Sequence, residues 1–402
     1  MKKKKNRFVK FRHKLVRFVL APIFFLMARF HYGARIEKYK GDKNRPVLVL
    51  FNHVTGYDQF FVSLAFRQHI YYVAMEDLFS NGFVSKLIWF LVGPIPIKKH
   101  TTDLKAMKDI VTCAKEGGSI GIAPEGNRTY SGRTCEMKRG ITSMCKLLKM
   151  PVVLYYIDGG YGVWPRWGGR RKGRIDCTVK RVLEPDEYLK WSDDELYDVI
   201  KKELSCDEAR SDRIFKSRHS AEYLERAMYI CPFCGFAEFE SKGDIIRCKS
   251  CDRKIRYGRN TELSGVDFEF PYRYVADWYD HQNEFLNGTD ITVFKKESVY
   301  TDTAAIFDVK PAISRKLIDR NAGITLFGDR IEVTTFSGNI ILPFDKIIGA
   351  ACVGDNRLNV ECDGKLYLIK GDKRFNPLKY VNFYYRYSNI NKGEGNGKFL
   401  GL

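Results

Sequence analysis

The stretch "CPFCGFAEFESKGDIIRCKSC" places Cys231 and Cys234, then, after thirteen intervening residues, Cys248 and Cys251. No other feature constrains the chain so tightly. If four thiolates serve one ion, residues 231 and 251 must meet, and everything between them must fold back. Each C-x2-C pair presents two sulfurs, and four sulfurs close a tetrahedral set with no open position, as structural zinc requires. Iron bound in the rubredoxin manner uses the same donors, and two disulfides would fit the spacing in an oxidising compartment. The other seven cysteines (Cys113, Cys135, Cys145, Cys177, Cys206, Cys352, Cys362) are scattered, which suits a reducing compartment better than a disulfide framework.

The 402 residues suffice for two or three domains, and their formal net charge of +20 is unevenly spread. The opening "MKKKKNRFVKFRHKLVR" holds nine Lys or Arg and no acid, and Arg166, Arg170, Arg171, Lys172 and Arg174 form a second cluster. Such patches favour nucleic acid or an anionic membrane surface. The next stretch favours the membrane. It is apolar from Phe18 to Ala28, bracketed by Arg17 and Arg29, and is about half the roughly 20 residues of a spanning helix. No small-x-small cleavage site follows. The expectation is an interfacial segment that makes the protein monotopic or peripheral on the cytoplasmic face of a membrane.

From Pro46 to about Leu183 the pattern is α/β. "PVLVLF", "YYVAM", "SIGI" and "PVVLYYI" read as buried strands, "TTDLKAMKDIVTCAKEG" and "GITSMCKLLKM" as helices, and "GRIDCTVKRVL" as a sheet-edge strand. Ser192 to about Met228 reads as helical and charged, and "DWYDHQNEFLNG" as a helical connector. Short alternating runs follow ("ITVFKK", "GITLFG", "RIEVTTF", "NIILPF", "IIGAACVG", "RLNVEC", "KLYLIK"), closed by the helix-like "NPLKYVNFYYRYS". That describes a small β-barrel or sandwich capped by a helix.

Within the α/β part, "LFNHVTGYDQF" ends a strand on Asn52-His53 and supplies Asp58 as a helix begins. A histidine at such a turn reaches a cleft with a side chain suited to proton transfer. Asp58 can hold its Nδ1–H, leaving Nε2 to take a proton from a hydroxyl. "APEGNRTYSG" sets Glu125, Gly126 and Arg128 after another strand, and "FLVGPIPIKKH" brings Gly93, Lys98 and Lys99. Loops at the carboxyl ends of strands line the crevice of an open α/β sheet. Taken singly, each has a plainer reading: H-x4-D arises by chance, Glu125 and Arg128 make a structural ion pair, and the lysines are solvated.

In their order, NHxxxxD, GxIxIxK, PEGNR and "MPVVLYY" resemble the glycerolipid acyltransferase family, whose best-known members are 1-acylglycerol-3-phosphate acyltransferases. The resemblance covers about residues 15–205. It implies an α/β domain with a mixed sheet flanked by helices, His53 as catalytic base and Asp58 as its orienter. It also implies that Glu125, Gly126 and Arg128, with Gly93 and Lys99, bind a phosphate-bearing acceptor. The sequence departs from the family at Ala123, Asn127, Leu154 and Lys99, where Phe, Thr, a second Pro and Arg are common; no reacting group is lost. The implied reaction moves a fatty acyl group from an acyl-CoA or acyl carrier protein thioester to a lysophospholipid hydroxyl, foremost 1-acylglycerol 3-phosphate, with no organic cofactor. The family's N-terminal helical motif in one leaflet agrees with the short apolar segment.

The cysteine stretch resembles a zinc ribbon, and residues Asp290 to Ser388 look like a PH or GRAM-type domain. The expected map is a basic tail and membrane-associating segment (1–34), the acyltransferase domain (35–228), the ribbon (229–258) and the PH/GRAM-like domain (290–390). The rival reading is a non-catalytic, basic zinc-ribbon adaptor binding anionic membrane or nucleic acid; it leaves the four ordered motifs to coincidence.

Overall fold

The computed structural model describes residues 6–75, 83–97, 103–310 and 314–392. Two compact units divide the chain: residues 1–166 with 170–215, and residues 167–169 with 216–401.

The first unit runs α1 (Phe11–Leu26), β1 (Ala34–Ile36), β2 (Leu48–Phe51), α2 (Asp58–Ala65), β3 (Ile70–Met75), α3 (Phe83–Val92), β4 (Ile95–Ile97), α4 (Leu104–Lys115) and β5 (Ser119–Ile122). It continues with α5 (Gly140–Leu148), β6 (Val152–Asp158), the short α6 (Gly160–Val163), β7 (Ile175–Leu183), the short α7 (Pro185–Tyr188) and α8 (Asp193–Leu204). The strands form one mixed sheet in the order β1-β7-β6-β2-β5-β3-β4. Only the β6–β7 pairing is antiparallel.

Strand β2 is buried throughout because both sheet faces are covered, as its unbroken apolar run requires. The two-residue period sends Leu48 and Leu50 to one face with Ile120, Val152 and Leu154, where Ile110 of α4, Ile141 of α5 and Ile200 of α8 pack. Val49 and Phe51 face the other side with Val153, Tyr155, and Phe61 and Val62 of α2. Each large side chain so buried stabilises the fold by about 1.5–3 kcal/mol. Strand β7 is one place in from the edge, not the edge itself: three-residue β1 pairs alongside Ile175–Cys177. The helix expected from Ser192 to Met228 stops at Leu204. Beyond it the main chain bonds sideways, Cys206 to Thr134 and Glu208 to Gly132, instead of up a helix.

The segment before α1 is fastened down. The carboxylate of Glu116 accepts the N–H groups of Arg7, Phe8 and Val9 at 2.7, 2.8 and 2.9 Å, and Arg7 forks onto Asp109. Phe8, His13, Ala28 and Tyr32 are buried. The outward side of α1 and the turn after it bares Phe11, Phe18, Ile23, Phe25, Leu26 and Phe30; α3 bares Leu87, Trp89 and Phe90. Arg12 ties these helices, donating to the Phe90 carbonyl at 2.9 Å with its guanidinium 4.5 Å from that ring's centre. Among the described residues no helix is long and apolar enough to cross a membrane.

The second basic cluster is only partly the surface patch its composition suggests: Arg170, Lys172 and Arg174 are exposed. Arg166 and Arg171 are buried, Arg166 donating to the Arg128 carbonyl at 2.8 Å and Arg171 reaching Gly162. Arg174 pairs with Asp176. Interior loop carbonyls, invisible in the sequence, recruit these guanidinia.

The second unit begins with the two-stranded pair β8 (Ile230–Cys231) and β9 (Gly235–Phe236). A four-stranded antiparallel sheet follows: β10 (Phe239–Lys242), β11 (Ile245–Cys248), β12 (Lys254–Tyr257) and β13 (Leu263–Gly265). Helix α9 (Val275–Gly288) leads to β14 (Tyr300–Lys310), β15 (Ser314–Leu326), β16 (Arg330–Thr335), β17 (Gly338–Pro343), β18 (Ile347–Val353), β19 (Arg357–Cys362), β20 (Lys365–Gly371) and α10 (Pro377–Lys392). These seven strands make one curled antiparallel sheet, ordered β17-β16-β15-β14-β20-β19-β18, with Leu378, Tyr380, Val381 and Phe383 of α10 buried.

The sequence count of seven strands arises from two compensating errors. "ITVFKK" is no strand: Asp290 accepts the Thr292 N–H and hydroxyl, turning Ile291–Val293 into a 3-10 turn. The central strand β14 gives no clean alternating run, because "YTDTAAIFDVK" mixes acids and small residues into its alternation.

Candidate active site and cysteine cluster

The carboxyl ends of the neighbouring parallel strands β2 and β5 release the two loops that carry the site. Asn52 latches the first loop to β6, its side chain donating to the Ile157 carbonyl and accepting the Ile157 N–H, both at 2.8 Å. Asp58 opens α2, where the helix N-terminus favours a negative charge. It is fully buried. Its Oδ2 accepts the Val54 N–H at 2.8 Å, its Oδ1 accepts the Thr55 hydroxyl at 2.6 Å, and the Thr55 N–H lies 3.0 Å from both oxygens. The same Oδ2 stands 2.7 Å from Nδ1 of His53. The ring's tautomer follows: Nδ1 carries the proton that Asp58 accepts, and Nε2 is the basic nitrogen. The His53 side chain is 25% exposed, open enough for a substrate to reach that nitrogen.

The second loop locks onto the first. One oxygen of Glu125 accepts the His53 N–H and the other the Cys135 N–H, each at 2.9 Å. Glu125 is buried, and burial pushes its carboxyl up to about 8 against the opposing pull of these two donors. The Thr129 N–H reaches the His53 carbonyl at 3.3 Å, so residues 125 and 129 bracket the histidine. Arg128 projects toward the same loop: its Nη1 lies 3.5 Å from where a Cβ on Gly56 would sit. Gly126 has φ +69°, a conformation that favours glycine. The Nζ of Lys138 lies 4.0 Å from where a Cβ on Gly126 would sit, and the Lys138 N–H bonds the Pro124 carbonyl at 3.1 Å.

His53, Asp58, Glu125, Gly126 and Arg128 therefore come together. Gly93 does not join them. It precedes β4, at the amino edge of the sheet, with φ +56°, and a Cβ there would meet the His13 ring at 2.6 Å. Lys98 and Lys99 lie outside the described residues. Sequence reasoning missed Lys138, which follows Glu125 by thirteen residues and is brought back by the loop. It also missed Asn52 as the latch and Arg166 as the support beneath Arg128. The Asn beside His53 was the one signal in reach.

The four cysteine sulfurs of the second unit lie within 4.8 Å of one another, Cys231 3.7 Å from Cys251 and Cys234 3.6 Å from Cys248. Gly235 and Asp252, each just after a C-x2-C pair, have positive φ, and these bends turn the thiols inward. A tetrahedral ion with bonds of about 2.3 Å sets its sulfurs roughly 3.8 Å apart, so the cluster fits zinc. All eleven cysteines are free of disulfides.

Residues 33–157 match the family model described as Acyltransferase. The chain is 25% identical over 183 residues to a 1-acyl-sn-glycerol-3-phosphate acyltransferase from Limnanthes alba, covering 42% of this chain and 61% of that one. It is 24% identical over 121 residues to one from Bacillus subtilis, covering 30% and 57%. The match thus spans about three fifths of the length of these relatives. A solved 1-acyl-sn-glycerophosphate acyltransferase, PlsC from Thermotoga maritima, aligns at 18% identity and a TM-score of 0.38, over 48% of this chain and 80% of that chain. Residues 33–157 of the first unit are thus similar to acyltransferases, and the chain resembles 1-acyl-sn-glycerol-3-phosphate acyltransferases over part of its length.

Proposed function

We propose that the chain transfers a fatty acyl group from a thioester, acyl-CoA or acyl carrier protein, to the free hydroxyl of a lysophospholipid, foremost 1-acylglycerol 3-phosphate. The observation that carries this reading is the buried Asp58 carboxylate 2.7 Å from Nδ1 of His53. The acceptor O–H gives its proton to Nε2 as its oxygen attacks the thioester carbonyl. Asp58 stabilises the imidazolium that forms. The tetrahedral adduct collapses, the C–S bond breaks, and the imidazolium returns the proton to the leaving thiolate. Glu125 fixes the main chain of His53 and Cys135, while Arg128, with Lys138 nearby, offers cationic grip to the acceptor phosphate.

The bared apolar side of α1 and α3 supports docking on one leaflet at the cytoplasmic face of a membrane, with the basic N-terminal residues attracted to anionic lipid. In the second unit, Cys231, Cys234, Cys248 and Cys251 would hold one structural zinc in a ribbon. The seven-stranded sheet with α10 supports a PH/GRAM-like module that binds lipid headgroups or a partner protein.

The deciding experiment supplies a long-chain acyl-CoA and measures thiol release with lysophosphatidate, glycerol 3-phosphate or a monoacylglycerol. Transfer to lysophosphatidate that falls more in Arg128→Ala than does thioester hydrolysis supports the reading. No transfer to any acceptor sinks it, as would equal losses in both rates with a lowered melting temperature. For the membrane arm, Phe18→Glu should reduce cosedimentation with anionic vesicles, and undiminished binding would move the docking face elsewhere.

A further inference from the structure

Four half-buried aromatic rings connect the apolar surface of α1 to the site. Phe24 of α1 lies 4.7 Å, centre to centre, from Phe60 of α2. Phe60 lies 5.3 Å from Tyr57, and Tyr57 5.0 Å from Trp164. Tyr32, buried, backs the last two from 5.1 and 6.0 Å. At one end Phe24 sits between Ile23 and Phe25, which are 58% and 44% exposed. At the other, the edge of the Trp164 indole lies 3.8 Å from the position of a Cβ on Gly56, where Nη1 of Arg128 stands at 3.5 Å. The indole and the guanidinium thus meet over one residue that has no side chain, three residues after His53.

We infer that this row of rings is the seat of the acceptor's own acyl tail, reaching the glycerol phosphate head at Gly56 from the apolar surface of α1. This rests on the function proposed above and deepens it by assigning the residues that seat the acceptor's tail. The guanidinium and the row share one terminus, so the ligand that fits both is one molecule with an anionic head and an apolar tail. Phe24, Tyr57 and Trp164 pack against the core on one side, and all four rings keep part of their surface open to a ligand. The tail of the thioester donor has no phosphate beside its reacting carbon.

The test varies the acceptor tail from none (glycerol 3-phosphate) through short to long lysophosphatidates, below their micelle concentrations, with one acyl-CoA donor. A second series varies the donor tail at one acceptor. Phe60→Gln puts a polar side chain in the middle of the row, and Phe60→Leu restores an apolar one; circular dichroism checks that both fold. The expected result is a ratio of kcat/KM for long over short acceptors that falls by about tenfold in Phe60→Gln. Phe60→Leu should recover most of it, and the donor series should keep its shape. An unchanged acceptor ratio, a change confined to the donor series, or equal effects of Gln and Leu would overturn the inference. Calorimetric binding of the same acceptors to the full chain separates the two claims. Tail-dependent binding lost in Phe60→Gln, without any turnover, would sink the transferase reading and leave the tail seat standing. Tail-independent binding would sink the seat alone.

Discussion

The His53 site and the cysteine cluster are two solutions to assembling four or five reactive side chains. In the cluster every thiol lies within twenty-one residues, and Gly235 and Asp252, at positive φ, follow the two pairs. In the first unit His53 and Asp58 are local, but Glu125, Arg128 and Lys138 arrive from more than seventy residues beyond His53 along β5 and its loop. With the zinc proposed above, the cluster's fold would depend on its ion, whereas the His53 site depends on a sheet that packs without one. Damage to the first should therefore appear as lost structure, and damage to the second as lost chemistry.

The largest expected effect tests the first half of that contrast. Replacing Cys231 and Cys248 by Ser should abolish binding of about one zinc per chain, an interaction worth on the order of 10 kcal/mol to a small metal domain. Elemental analysis reads the metal. Hydrogen exchange should then rise across residues 230–265 while Leu48–Phe51 and Val152–Asp158 stay protected. Equal exposure of both regions would break the comparison.

His53→Ala should cost about 10³–10⁴-fold in turnover, read as thiol release, with little change in melting temperature. Asp58→Asn behaves differently, because it acts on a buried group. Its amide nitrogen would face N–H donors that the carboxylate now accepts from Val54 and Thr55. A loss of about 1–3 kcal/mol of stability should accompany the lost activity. Two variants with the same thermal profile would erase the distinction between base and orienter.

Glu125→Gln should lower kcat/KM by about tenfold, since one of the His53 and Cys135 N–H groups loses its acceptor. Its pH signature has a definite sign. Burial holds the native carboxyl up to about 8, so between about pH 4.5 and 8 the folded chain keeps a proton that the unfolded chain has lost. The stability this confers is complete below that window and declines as pH rises through it. Denaturant unfolding at pH 5 and pH 8 should show wild type losing more stability than the Gln variant. A parallel loss would remove the buried carboxyl as the cause.

The smallest effect concerns how α1 is held. His13 is buried beside Tyr71 and His69, and burial, with the neighbouring His69, Arg12 and Lys10, lowers its pKa to about 4. The folded chain therefore keeps His13 neutral where the unfolded chain protonates, and this stabilisation is present above about pH 6.5 and lost as pH falls toward 4. Hydrogen exchange in Phe11–Leu26 should quicken between pH 7 and pH 5 more than in β2. Uniform behaviour would assign α1 to the same cooperative unit as the sheet.

The sequence alone determined what is written within a short span. The four cysteines carry their spacing. Asn52-His53 and Asp58 lie within one turn, and "LVLF" is apolar enough to be a central strand. The His53 and Glu125 motifs were legible for the same reason: each is a loop whose residues lie close together in the chain. What only the tertiary structure decided are the relations across the sheet. The carboxylate of Glu125 supports the His53 main chain, a role that residue type cannot reveal because the partner is a backbone N–H. Gly93, alike in sequence to a ligand-loop glycine, instead packs on His13 at the other edge. Arg166 and Arg171 read as a charged patch until buried carbonyls claim them. Strand β14 illustrates the general reason. Its polar alternation is too weak to mark a strand, yet β15 and β20 hydrogen-bond it on both sides, so its partners and not its own residues make it the centre of the sheet.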